Sequence, residues 1–250
     1  MAKLSGNNAA ILINGYNLSV YGRKYQIDDA TPPLDVTGFT EPRNFVPGQR
    51  EGKVTIEMMW DSDTGKTMSV LSAPGTGHIT IVPEGLAVVG GTSYSLAYMQ
   101  SNFSPASAQN EVLSIGSVEF VANGASNDGV EDGQLVYSGT ITATNTGSTA
   151  TPVDAWGART AACSGTLHIT QLCAADRYVV KIQHSANGTT GWADLVTFTL
   201  DGSAVGAQKV NVASGAVYPY RRITATRTGT AGNSFTFHVH FRHAVGVAYP

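Results

Sequence analysis

Along much of the chain, apolar and polar residues alternate with a period of two, the spacing of a strand with one face on a core. Val54, Ile56 and Met58 alternate with Thr55 and Glu57, and Ile79 and Ile81 with His78 and Thr80. Tyr94, Leu96 and Tyr98 alternate with Ser95 and Ala97, and Tyr178, Val180 and Ile182 with Val179 and Lys181. Val196, Phe198 and Leu200 are spaced by two threonines. The clearest run sets Phe235, Phe237, Val239 and Phe241 against Thr236, His238, His240 and Arg242. Leu113 and Ile115 lead to Val118 and Phe120 through a change of phase at Gly116, which predicts a β-bulge. One helix is predicted over residues 64–72, with Asp63 as its N-cap and Pro74-Gly75 beyond its end. Loop signals fall at residues 28–33, 41–52, 73–77 and 122–133. The pattern predicts an all-β chain with one short helix, folded as two antiparallel β-sandwich-like domains.

Composition agrees with sheets rather than exposed helices. Charged residues make up 13% of the 250 positions, against about a quarter in ordinary domains, and Gly, Thr and Ser fill the gap. No apolar run approaches the roughly 18 residues of a spanning helix. The early apolar stretch, residues 9–13, is too short for the core of a signal peptide, so a chain made and kept in the cytoplasm is expected. Cys163 and Cys173 are ten residues apart. If one strand joins them, their Cα atoms sit roughly 33 Å apart, far beyond disulfide reach. Two free thiols are expected.

Charge divides the chain. Residues 1–158 carry 7 Lys/Arg and 15 Asp/Glu, a net of −8, whereas residues 159–250 carry 8 and 3, a net of +5. A polar Gly-, Thr- and Pro-rich stretch at 145–159 falls at the change, as a linker would. This organisation predicts a domain over 1–158 and a second over 159–250. An acidic first domain is a poor partner for phosphate-bearing polymers.

The residue patterns of common catalytic sites are missing. Gly65-Lys66-Thr67 lacks the Gly five residues upstream that a phosphate loop needs; Trp60 stands there. Asp61, Asp63 and Gly65 depart from a calcium loop in spacing, and Ser72 replaces its final Glu. The acidic group Asp128, Glu131 and Asp132 fits a turn at least as well as a cation site. His238 and His240 share one strand face near His243, a spacing that could chelate zinc or copper. No Cys or carboxylate stands in that strand, so a solvated or interface-facing polar face is expected. Neither a nucleophile elbow nor a zinc-protease pattern is present. No enzyme, cofactor or metal is expected, and the chain reads as a structural or binding protein.

Particular segments sharpen this reading. Asp35-Val-Thr-Gly-Phe-Thr40, Asn44-Phe-Val-Pro-Gly48 and the strand over 52–60 are similar to the start of major tail (tail tube) proteins of long-tailed, siphovirus-like bacteriophages. The short helix, the strand ending at Pro83-Glu84-Gly85, the segment 94–103 with Ser104-Pro105, and the acidic turn 128–135 before a long strand follow the same order. Val180-Lys-Ile-Gln-His-Ser-Ala-Asn-Gly188, Trp192-Ala-Asp-Leu195 and Tyr220-Arg-Arg-Ile223 resemble the β-sandwich domains appended to such proteins. Asn187 stands where that pattern has Asp, and Arg221-Arg222 where it has one Arg.

The resemblance implies a tail-tube-like β-sandwich/barrel domain followed by a small outer β-sandwich. It implies a virion protein of the tail that assembles in the host cytoplasm into stacked, hexameric rings. Its partners would be itself and other tail proteins, with DNA passing through the lumen without specific binding and no membrane involved. Closing a ring removes exposed sheet edges. Arg43, Phe45, Val46 and Arg50, on the loop over 40–53, are the candidates for contact between rings and subunits, because Arg and aromatic residues dominate interface hot spots. Glu57 is a candidate acidic residue of the lumen. Trp192, Tyr218 and Tyr220 are candidates for a ligand platform in the second domain, with sandwich-core aromatics as the plainer alternative. Other functional alternatives are a head decoration or tail-completion protein of β-sandwich build, a carbohydrate-binding module pair and an unrecognised hydrolase.

Overall fold

A computed structural model describes residues 8–31, 33–35, 45–47, 50–106, 113–123, 129–145, 159–173, 175–229 and 232–243. The chain is all-β with one short helix. In order, the strands are β1 (Ala10–Ile13), β2 (Tyr16–Asn17), β3 (Gly22–Ala30), β4 (Pro33–Asp35), β5 (Phe45–Pro47) and β6 (Glu51–Met59). The helix α1 (Thr67–Leu71) precedes β7 (Thr76–Val82), β8 (Thr92–Ala106), β9 (Ser114–Ala122) and β10 (Glu131–Ile141). Then come β11 (Arg159–Gln171), β12 (Arg177–Ser185), β13 (Ala193–Thr197), β14 (Gly206–Val217), β15 (Tyr220–Thr228) and β16 (Phe235–His243). No helix among the described residues is long and apolar enough to cross a membrane.

Two compact units form: a larger one of Met1–Ser19, Thr80–Ser95 and Asp132–Pro250, and a smaller one of Val20–Ile79 and Leu96–Glu131. Residues 159–243 therefore share the larger unit with strands from the first half of the sequence, and β16 pairs with both β10 and β11. The division between the units falls within β7 and β8, and residues 146–158, next to the expected 158/159 boundary, lie outside the described ones.

In the smaller unit β3, β6, β9 and the second half of β8 pair antiparallel in that order. Val54, Ile56 and Met58 are buried on one face of β6, as alternation predicts, with Ile115, Val118 and Phe120 on β9. Tyr98 meets Phe120 edge-on at 4.5 Å between ring centres, a favoured aromatic geometry. The bulge at Gly116 is present: Ile56 lies opposite Val118 but Met58 opposite Ile115, so two residues of β9 face one of β6.

The helix starts later than the sequence predicts. Its N-cap is Lys66, not Asp63, and Lys66 N–H donates to Ser69 Oγ at 3.1 Å. Asp61 is the reason. Its Oδ1 accepts the Asp63 N–H at 3.0 Å, holding 61–63 in a side-chain-closed turn before any helix can begin. That hydrogen bond, with one from Tyr21, keeps the Asp61 carboxyl below the usual carboxylate range.

The larger unit holds a sheet ordered β14, β11, β16, β10, β8, β7, β1, β2, and a second sheet ordered β13, β12, β15. The second sheet packs on one face of the first. Tyr178, Val180, Ile182, Val196, Phe198 and Ile223 form one buried cluster with Leu167, Ile169, Phe235, Phe237, Val239 and Phe241. Gly165 lies in this contact, and a Cβ there would lie 2.8 Å from Ile182 Cδ1 and 3.0 Å from Phe198 Cζ. The β1–β2 hairpin turns on Asn14 and Gly15, both in the left-handed region, the usual chemistry of a two-residue hairpin turn. Gly15 packs against the backbone of Ile169 and Gly206, leaving no room for a side chain.

The opposite face of β11 and β16 corrects the expectation of a solvated histidine strand. His238 and His240 are 5% and 1% exposed, and Thr166, His168 and Arg242 are buried with them. Ser93, Ser95 and Thr80 are buried as well. In β8 the burial phase changes between Ser95 and Leu96: the serines are buried first and Tyr94 only partly, then Leu96 and Tyr98. Both cysteines are free, as expected, and both are buried.

Candidate interaction surfaces

The buried polar face of the larger unit brings His168, His238 and His240 together with buried hydroxyls. His168 Nδ1 accepts the Gly15 N–H at 3.4 Å, so its proton resides on Nε2, which donates to Thr80 Oγ1 at 2.9 Å. Thr80 donates to Ser95 Oγ at 3.3 Å, and Ser95 to Thr166 Oγ1 at 3.2 Å. One directed chain thus runs from the β1–β2 turn across three strands, β11, β7 and β8, and back to β11. His240 Nδ1 meets Ser93 Oγ at 2.6 Å, and His238 bridges Ser138 Oγ at 3.0 Å and Thr170 Oγ1 at 3.3 Å. Burial pushes the His238 imidazole down to about 4, which keeps it neutral at ordinary pH. Every hydroxyl named here is committed to a neighbour within this buried face, an arrangement that fixes the fold. Among the described residues, no three His, Cys, Asp or Glu side chains are grouped so as to hold a metal ion.

Cys163 lies in the apolar cluster, where burial raises its thiol to about 11. A thiol held neutral in this way is a poor nucleophile.

The candidate contact loop is only partly within the described residues. Arg43 and the side chain of Val46 fall outside them. Phe45 is half exposed on β5, which pairs with β4. Arg50 is used inside the smaller unit: Nε donates to both Asp29 oxygens at 2.9 and 3.0 Å, Nη2 binds the same carboxylate, and Nη2 also donates to the Val130 carbonyl at 3.1 Å. Its fork fastens the end of β3 to the segment that enters β10. Glu57 pairs with Lys24 at 3.1 Å, and Lys53 with Glu119 at 3.5 Å, so this face carries cross-strand ion pairs.

The aromatic candidates of the second half separate into two places. Tyr218 joins His184: the rings are 4.9 Å apart and Tyr218 N–H donates to His184 Nδ1 at 3.2 Å. His184 is buried, and burial followed by the nearby Arg221 charge lowers its pKa. Trp192 and Tyr220 belong instead to the outer face of the β13–β12–β15 sheet. Register places Gln183 opposite both Asp194 and Arg222, and Ser185 opposite Tyr220. Residues two apart in a strand share a face.

Side chains on that face interlock. Lys181 Nζ reaches Asp194 Oδ2 at 2.6 Å, and Gln183 Nε2 donates to Asp194 Oδ1 at 2.7 Å. Arg222 Nε donates to Gln183 Oε1 at 2.8 Å, and its guanidinium lies 4.4 Å from the Trp192 ring centre. The Gln183 hydrogen bond, then Lys181, holds the Asp194 carboxyl below its usual range. Sequence reasoning found the aromatic pair but missed this ladder, whose partners are 11 to 39 positions apart.

No family model matches the chain, and no curated protein matches it. Among solved structures, the chain is similar to one from the virion of a native gene transfer agent particle, at 13% identity and a TM-score of 0.38, over 49% of this chain and 96% of that one. A chain from the tail of an empty gene transfer agent particle with C6 symmetry gives 14% and 0.38 over 50% and 96%. The SPP1 Dit (gp 19.1) protein, a hub adsorption protein of phages infecting Gram-positive hosts, gives 8% and 0.33 over 95% and 99%.

Proposed function

We propose that this chain is a structural, non-enzymatic subunit of a bacteriophage tail, and that it forms stacked hexameric rings of a tube conducting DNA. The observation that carries the proposal is the open edge of β3. This nine-residue strand pairs with β6 alone among the described strands, and six of its residues are exposed. An open edge of that length is a template for pairing with another chain, and rotation-related pairing closes a ring. The tail-protein resemblance of segments 35–40, 44–48 and 52–60 supports the same reading. So does the net charge of −8 over residues 1–158, since an acidic wall lets a polyanion slide without sticking.

Negative-stain electron microscopy of the purified full chain, from dilute to concentrated, tests it. Rings or hollow tubes of sixfold symmetry are expected. Arg23→Pro removes an edge N–H at the bulge where Gly22 and Lys24 shift register against β6, and should abolish them while circular dichroism stays unchanged. A chain that stays monomeric at every concentration, with and without other tail proteins, would overturn the proposal.

A further inference from the structure

The outer face of the β13–β12–β15 sheet carries more organisation than its own stability calls for. Lys181, Asp194, Gln183 and Arg222 are locked into one ladder across three strands, and Arg222 is stacked on Trp192. Isolated exposed ion pairs stabilise little. What the ladder does accomplish is orientation. Gln183 holds Arg222 by Nε, and Trp192 holds the plane of the guanidinium. Among the described residues neither Nη group has a protein acceptor. Lys181 and Asp194 offset each other's charge, so the positive charge of Arg222 is uncompensated within the ladder. A planar donor fork fixed in this way matches a carboxylate or phosphate.

The surroundings add a second kind of contact. Tyr220 shares this face and is part exposed. Its ring abuts Gly188, whose Cβ position would lie 2.6 Å from Tyr220 Cδ1, so only glycine leaves the ring in place. The turn that carries Gly188 is fixed by its own hydrogen bonds. Ser185 Oγ accepts from the N–H groups of Asn187 and Gly188, and Asn187 Oδ1 from those of Thr189 and Thr190. Aromatic faces beside fixed polar groups suit sugar rings, whose C–H faces are apolar and whose edges are hydroxylated. A site already ordered before binding loses little entropy when it is filled.

We propose that this face binds an acidic polysaccharide: the acidic substituent on the Arg222 fork, sugar rings along Tyr220 and Trp192, and hydroxyls on Asp194 and Gln183. The proposal is independent of tube assembly, because it uses only one face of one sheet.

Isothermal titration calorimetry of the full chain at low ionic strength tests it with hexagalacturonate, O6-phosphorylated maltohexaose and unmodified maltohexaose. Binding of the uronate, the phosphate or both is expected, with no heat from the neutral oligomer, and the responsive probe identifies the acid. Arg222→Gln should weaken binding about tenfold or more. Arg222→Lys keeps the charge but loses the fork, and should weaken it comparably. Trp192→Ala should do the same, with unfolding temperatures of the Arg222 variants near that of the parent chain. Equal heats from acidic and neutral oligomers, no heat from any, or undiminished binding by Arg222→Gln and Trp192→Ala would each overturn the assignment.

Discussion

On one face of β11 and β16, Leu167, Ile169, Phe235, Phe237, Val239 and Phe241 pack into an apolar cluster; on the other, Thr166, His168, His238 and His240 are buried just as deeply among hydroxyls. The first face is held by removal of apolar area from water, which is large and has no direction. The second contributes less net energy but is directional, because each donor must find its acceptor. A one-residue slip of β16 would carry histidines into the phenylalanine cluster and phenylalanines among the hydroxyls. The apolar face thus supplies most of the stability and the polar face fixes the register.

The largest effect should come from the apolar face. Phe237 stacks on Tyr137 at 4.4 Å and on Phe235 at 4.9 Å. Phe237→Ala should lower stability by about 3–5 kcal/mol through lost transfer energy and the cavity left behind, read by guanidinium unfolding. A loss below about 1 kcal/mol would show that the polar face carries the unit instead.

Acid should weaken the polar face next. His238 titrates near 4 in the fold against 6.5 when unfolded. Between those values the unfolded chain binds more protons, so stability rises with pH there. The contribution is full above about pH 6.5 and is lost as pH falls towards 4, amounting to about 3 kcal/mol. Unfolding curves across this window check it. In His238→Gln the slope should flatten, whereas an unchanged slope would assign the acid sensitivity to other groups.

This comparison also marks what was legible in the sequence. Period two located the strands, and the broken phase at Gly116 located a bulge that pairing reproduces. The fate of the polar half of each alternation was not legible, because Thr236, His238 and His240 read identically against water or against a second polar wall. A signal existed in retrospect. Thr80, Ser93, Ser95 and Thr166 occupy alternate positions where a solvated face would carry Lys or Glu, in a chain only 13% charged. On the outer sheet Trp192 and Tyr220 stood out as aromatics, but the ladder from Lys181 to Arg222 exists only once β12 is registered with β13 and β15. The helix start failed for a local reason: the Asp61 side chain competed for the turn that Asp63 was expected to cap.

The smallest effect tests whether the polar face works as a chain or as separate bonds. Ser95 accepts from Thr80 and donates to Thr166. Ser95→Ala leaves a buried Thr80 proton without its acceptor and Thr166 without its donor, at about 1–3 kcal/mol. Thr166→Val leaves only the Ser95 proton unmatched and should lie near the lower end. In the double variant, the Ser95–Thr166 bond has lost both partners, and removing both costs less than stranding one. Its loss should fall short of the sum of the two by at least about 0.5 kcal/mol. Strict additivity in denaturant unfolding would mean that the hydroxyls act independently. Register would then be set by the phenylalanines alone.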